Sequence, residues 1–283
     1  MKHDLKFIIF YLSVNANSVL LTFQKYAGGS KFVFAEQPFA NLAKAANNFF
    51  VGEYKPYLVG TLIMYVITLF VGTPLALFFS YYIYKKMPLS NFFRIMLFLP
   101  SIISATVLAI MFKYFANYAL PKMVDAIFGA GTSPLNGYFS AKPFGVVVFF
   151  NIFIGFGTSV LMYANKMSTI DVSVIEAAKI DGAKPAREFF SIVLPFVYPT
   201  FVVFFVTGIG TLLVNQFNVM TFFGWDGNPE VNIFGFKLFA QAASLDYSKY
   251  PSLSALGVLV SAMVIPVTLI LRKVLVKYGP SDK

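Results

Sequence analysis

The sequence predicts an all-α integral membrane protein: six transmembrane helices, with a short charged helix on the cytoplasmic side between the fourth and the fifth. Three observations lead there. Hydrophobic residues make up 58% of the chain and charged residues only 12%, about half the charged share of an ordinary globular protein. The apolar residues fall into long charge-free runs, and roughly 20 such residues are what a helix needs to cross a bilayer. The net charge of +10 is carried by Lys and Arg at the edges of those runs, the pattern of loops that face the cytoplasm.

The runs are Phe7–Gln24, Pro56–Tyr84, Ile95–Phe112, Pro143–Asn165, Phe189–Trp225 and Tyr250–Leu271. The first is the most polar, with Ser13, Asn15, Asn17 and Ser18. Polar groups in a span face other helices or a cavity rather than lipid, and a helix–helix hydrogen bond outweighs a ligand contact as their role. The stretch Ala126–Ala141 also lacks charge, but "FGAGTSPLNGYFS" is turn chemistry and reads as a loop. The run from Phe189 holds one span and a flanking segment. Six spans place both termini on one side. Lys2, Lys6, Lys85, Lys86, Arg94, Lys166, Lys179, Lys184, Arg187, Arg272, Lys273, Lys277 and Lys283 all lie on that side, so the termini are expected in the cytoplasm. No small-residue cleavage site follows the first run, so no cleavable signal is expected.

The sequence excludes some chemistries and disfavours others. Cysteine is absent, which removes disulfides, thiolate nucleophiles and Cys-based metal sites. The single His3 cannot supply the convergent ligands a metal needs, so neither metal nor cofactor is expected. The basic residues are scattered rather than gathered on a face, which argues against nucleic acid. An ion-coupled transporter wants ionisable groups within its spans, a channel wants a charged ring, and a membrane enzyme wants clustered His, Asp or Glu. None of these patterns occurs in the six runs.

One charged stretch interrupts the apolar pattern: "EAAKIDGAKPAREFFSIVLPFVYP", residues 176–199. Just upstream, Thr169, Asp171 and Ser173 each offer an N-cap oxygen, and Ser173 with Glu176 has capping-box spacing. A short helix then runs through Val174, Ala177, Ala178 and Asp181. Gly182 is its natural stop. Pro185 suits the first turn of the next helix, where its missing N–H costs nothing.

"EAAKIDGA" followed by "FFSIVLP", with Ile192, Leu194 and Pro195, resembles the signature loop of binding-protein-dependent ABC importer permeases. The "IDGA" variant is similar to the carbohydrate branch, the maltose- and glycerol-phosphate-type permeases. "NFFRIMLFLPSIISATVLAIMFKYFAN", with Phe93, Arg94, Leu99 and Pro100, resembles that branch's third-span entry, and "YLVGTLIMYVITLFVGTPLALFFSYYIYKK" its preceding span. The likeness covers about residues 55–276 of a single permease domain, 1–283, with the loop at about 165–191. "MSTIDVSVIEAA" departs from it in lacking the usual upstream Pro.

The resemblance implies a non-catalytic permease subunit that passes a sugar or oligosaccharide through a prokaryotic plasma membrane. It implies that Glu176, Ala177, Ala178, Asp181 and Gly182 form a coupling helix docked in a cytoplasmic ATPase. No Walker A run occurs in the chain, so the two ATPase subunits are expected to be separate chains. A second, homologous permease subunit, as a heterodimer, and an extracellular solute-binding lipoprotein complete the expected partners. Asn151, Asn215, Gln216 and Asn218, with Tyr163 and Phe217 near them, are the candidate sugar contacts, and interhelical bonding explains each amide equally well. An ion-coupled transporter, or an importer of a non-sugar solute, is the alternative.

Overall fold

The computed structural model describes residues 13–280. Lys2, His3, Lys6, Lys283 and the opening of the first apolar run lie outside the described residues. In chain order the elements are α1 Ser13–Leu21, the hairpin β1 Gln24–Tyr26 and β2 Phe32–Phe34, and α2 Ala40–Phe50. Then follow α3 Lys55–Tyr84, α4 Ser90–Ile102, α5 Ala105–Phe128, α6 Tyr138–Ala141 and α7 Pro143–Met167. The last are α8 Val172–Ile180, α9 Pro185–Thr211, α10 Val219–Phe223, α11 Phe234–Ala243 and α12 Tyr250–Tyr278.

The protein is mostly helical and crosses the membrane several times. α3, α7, α9 and α12 are each long and apolar enough to span a bilayer. The expected third span is not one straight helix: α4 and α5 meet at a bend of 99°. Pro100 in the last turn of α4 removes a helical donor. Ile103 then turns extended (φ −79°, ψ 142°), and the chain restarts as α5. The predicted first span, Phe7–Gln24, begins outside the described residues, and α1 is its described helical part.

Three of the long helices each carry a five-residue π segment: Thr68–Gly72 in α3, Phe115–Ala119 in α5 and Phe189–Val193 in α9. Each segment contains the residue four before a proline, namely Phe70 before Pro74, Asn117 before Pro121 and Ser191 before Pro195. A proline cannot donate to that carbonyl, and its ring crowds it. Widening the helix by one residue relieves the clash without ending the helix.

The chain divides into two compact units. The first comprises residues up to Thr61 with Gly210–Gln216 and Asn232–Thr268. Its hairpin pairs Gln24 with Phe34 and Tyr26 with Phe32, and Asn41 donates to the carbonyls of Thr22 (2.9 Å) and Gln24 (2.8 Å). Phe49 and Tyr54 meet Phe234 edge to face, at 5.5 and 5.7 Å. The Thr61 hydroxyl accepts from the Phe234 N–H at 2.8 Å. Ser254 donates to the Ser18 carbonyl and bonds the Thr22 hydroxyl, so the last helix meets the first run through a main-chain carbonyl and Thr22.

The second unit comprises Leu62–Ile209, Phe217–Val231 and the chain from Leu269 onward. Its core joins Ala76 of α3, Val160, Tyr163 and Met167 of α7, Ile175 of α8, and Phe189, Val193 and Val197 of α9. Ser80 is buried between α3 and α7, its hydroxyl 2.9 Å from the Val160 carbonyl. α4 lies so close to α7 that a Cβ on Gly157 would sit 1.8 Å from the Leu97 carbonyl oxygen. Small residues permit such approaches where packing, rather than water, drives helix association.

Candidate functional site: a capped helix, a glycine bend and a buried ion pair

The charged stretch folds as a helix, a bend and a helix. Asp171 is the N-cap of α8, its carboxylate accepting the Ser173 N–H at 2.9 Å. That main-chain bond, with a further one from the Ser173 side chain, holds the exposed Asp171 carboxyl below the usual carboxylate range. Of the three cap oxygens the sequence offers, it is Asp171 that serves. The Ser173–Glu176 box is not used, because Ser173 lies within the first turn. At the other end the Gly182 N–H donates to the Lys179 carbonyl and the Ala183 N–H to the Ala178 carbonyl, at 3.0 and 2.9 Å. This is a Schellman closure. It requires the left-handed conformation that Gly182 adopts, φ +74°, which a side chain would strain.

Only one side chain of α8 is buried, Ile175, and it joins the core of the second unit. Glu176, Ala177, Asp181 and Gly182 are exposed and Ala178 is half-buried. Val172 and Ile180 stand bare at 66% and 86% exposure.

Past the bend, Pro185 opens α9 as the sequence predicts. Glu188, in its first turn, turns inward, and its side chain is only 4% exposed. Both carboxylate oxygens accept from the Lys85 ammonium, at 2.8 and 3.0 Å. The Tyr81 hydroxyl donates to the same carboxylate at 3.2 Å. Next to it, Phe189 stacks on Phe78 at 5.2 Å and meets Tyr81 edge-on at 5.1 Å. Thus the start of α9 is tied to the end of α3.

Deeper in the second unit is a cavity of about 140 Å³. Tyr65, Thr68, Asn151, Tyr163, Phe156 and Phe205 are among its lining residues. The Tyr65 hydroxyl donates to the Phe205 carbonyl at 3.1 Å. The Thr68 hydroxyl oxygen is buried with no hydrogen-bond partner among the described residues. Asn151 donates to the carbonyls of Val147 (2.8 Å) and Phe217 (3.0 Å) and accepts from Asn218 (3.2 Å). The structure therefore brings together Asn151 and Asn218, and of the sequence's candidate amides only Asn151 lines this cavity. Asn215 and Gln216 belong to the first unit.

Residues 49–277 match the family model for the inner membrane component of binding-protein-dependent transport systems. The chain belongs to that family. Its similarity to curated family members is distant. It is 24% identical, over 59% of this chain and 57% of the relative, to the multiple sugar-binding transport system permease protein MsmF of Streptococcus mutans. It is 27% identical, over 49% of this chain and 47% of the relative, to the sn-glycerol-3-phosphate transport system permease protein UgpA of Yersinia pseudotuberculosis. The chain thus spans about half the length of the curated relatives it matches. Its fold matches one described in a crystal structure of a bacterial ABC transporter involved in the import of the acidic polysaccharide alginate. There the TM-score is 0.77 and the identity 18%, over 97% of this chain and 92% of that one.

Within this permease-family fold, sequence reasoning missed Lys85, Glu188 and Thr68. An acid in the first turn of α9 is legible as a favourable charge at a helix N-terminus. Its burial is not, since the Lys85 that balances it is 103 residues away. For Thr68 the available signal was Pro74, which widens the helix around it.

Proposed function

We propose that this chain is the permease subunit of an ABC importer, moving a sugar or oligosaccharide delivered by an extracellular binding lipoprotein. Two separate ATPase subunits drive it, and a second homologous permease completes the pathway. In this reading six spans cross a prokaryotic plasma membrane, with both termini and α8 on the cytoplasmic side.

The observation that carries the proposal is the α8–Gly182–α9 geometry. A short helix, capped at both ends and exposed except at Ile175 and half-buried Ala178, runs through one left-handed glycine into a helix of membrane-crossing length. A capped helix transmits a push as a rigid body where a loop would absorb it. Glu176, Ala177, Ala178, Asp181 and Gly182 would make or position the ATPase contact.

For the substrate, the cavity around Asn151 and Thr68 offers aromatic faces for the C–H surfaces of a sugar, the Thr68 hydroxyl, which has no partner among the described residues, and the remaining acceptor position of the Asn151 amide oxygen. Asn218 donates to Asn151, and Asn215 and Gln216, in the first unit, remain proposed sugar contacts on the sequence reading alone. The alginate importer with the matching fold and the sugar and glycerol-phosphate permeases among the relatives support the carbohydrate class.

The test uses Gly182→Val and Glu176→Lys in the whole transporter, measuring membrane insertion, ATPase co-purification and ATP hydrolysis. Both variants should insert normally, because insertion depends on the apolar runs. Both should lose the ATPase, or keep it with hydrolysis that no longer responds to the sugar-loaded binding protein. Wild-type co-purification and a wild-type response in both would reject the coupling role.

A further inference from the structure

We propose that Lys85 and Glu188 are positioning residues: their ion pair clamps the start of α9 to the end of α3, so that a displacement of α8 moves both membrane helices as one body. The inference rests on the coupling role proposed for α8 and adds the joint through which its motion passes.

Residues 181–184 between α8 and α9 form an open bend, and nothing lies within 4 Å of the Cβ position of Gly182. A push on α8 is dissipated there unless the chain is held on both sides. Upstream the hold is Ile175, buried with Met167 and Ile170. Downstream it is Glu188, with the Phe189 ring stacked beside it on Phe78.

A solvent-facing carboxylate in the first turn would satisfy the helix N-terminus equally well. Glu188 instead accepts burial, which is tolerated only because Lys85 and Tyr81 meet it. Replacing a buried pair by well-packed apolar residues is often no worse for stability. What the charged pair adds is a defined register: two donor contacts from one ammonium, crossed by a hydroxyl, admit one arrangement, whereas apolar side chains slide.

The experiment uses the complete transporter with its ATPase subunits. Spin labels sit on introduced cysteines, Lys86→Cys after α3 and Ala186→Cys in the exposed first turn of α9, in a chain with no native cysteine. Electron–electron distance distributions are recorded without nucleotide and with Mg-ATP plus vanadate. With the native pair the distance should stay narrow and unchanged by nucleotide. In Lys85→Met/Glu188→Leu it should broaden at least twofold when nucleotide is added. Lys85→Arg, which keeps the pair, should restore the narrow distribution. If the apolar pair fails to assemble, Glu188→Gln gives the same reading, since it keeps the shape and removes only the charge. ATPase co-purification should be at the wild-type level throughout, because α8 is untouched. A narrow, nucleotide-independent distance in the uncharged variants overturns the clamp while leaving the role of α8 standing. Loss of the ATPase from those variants overturns it too, because the pair would then be shaping the docking surface itself.

Discussion

Two glycines on α7, two residues apart, should respond to the same substitution with opposite signs. A Cβ on Gly157 would sit 1.8 Å from the Leu97 carbonyl oxygen and 2.8 Å from its carbon. Ordinary contact begins at 3.4 Å, so α4 and α7 must part by about 1.6 Å to admit one methyl group. The obstacle is backbone and cannot turn aside as a side chain would. Overpacking of this kind costs about 1–3 kcal/mol. A cost of about 2 kcal/mol lowers Tm by about 4–8 °C in a chain of this size. Gly155 has nothing within 4 Å of its Cβ position. There Ala replaces the poorest non-proline helix former in a helix interior and gains about 1 kcal/mol, a rise of about 2–4 °C. The assay is thermal unfolding of each purified variant in one detergent, scored against wild type. Gly157→Ala at or above the wild-type Tm would refute the close approach of α4, and with it the bend at Ile103 that brings α4 there. A fall for Gly155→Ala equal to that for Gly157→Ala would show that helical glycine itself, not its neighbour, sets the response.

Thr68→Val keeps the shape of the side chain and deletes a hydroxyl that has no protein partner among the described residues. Stability should hold or rise slightly, since no protein hydrogen bond is lost, while binding-protein-stimulated ATP hydrolysis falls about 10-fold; an unchanged response takes Thr68 out of the substrate path. Asn151→Ala should lose both, because its amide also holds the Phe217 carbonyl and Asn218, at about 1–3 kcal/mol for partners left unpaired; a Tm equal to wild type would show those bonds to be idle. Lys179→Cys, in a chain without cysteine, should react with an impermeant maleimide in inside-out vesicles and not on intact cells. Labelling from outside would reverse the proposed orientation of α8.

How far the sequence could be read depends on the range of the forces involved. Asp171, Gly182 and Pro185 act on residues one to five positions away, so cap, stop and restart were visible in the string itself. Even there three oxygens competed for the cap, and only the backbone decided between them: Asp171 is extended (φ −62°, ψ 131°) while Ser173 is already helical. The π segments were half visible. Each proline announced a carbonyl without a donor, but not whether the helix would break, as near Pro100, or widen, as before Pro74, Pro121 and Pro195. The cavity was not visible, because its lining is drawn from α3, α7 and α9, and a Phe in such a chain is as often lipid-facing as not.

Glu188 shows most clearly where local reading stops. In the string it is one charge among the six of residues 176–199, and its neighbours argue for exposure. In the fold it is the least exposed acid among the described residues, because α3 ends at Tyr84 and places Lys85 against it. The length of α3 was legible; the partner that its end would meet was not. That difference has a mechanical consequence. Gly182 leaves the chain between α8 and α9 free to bend, and freedom at that point is useful only if the two sides are fixed. Ile175 fixes one side by packing, which tolerates small slides. The ion pair fixes the other by direction, which does not. The stiffness of the whole element is then set by the softer of the two, so Ile175→Ala should weaken the stimulation of ATP hydrolysis by the sugar-loaded binding protein even with Lys85 and Glu188 intact, and stimulation at the wild-type level would show that packing at Ile175 is not part of the joint.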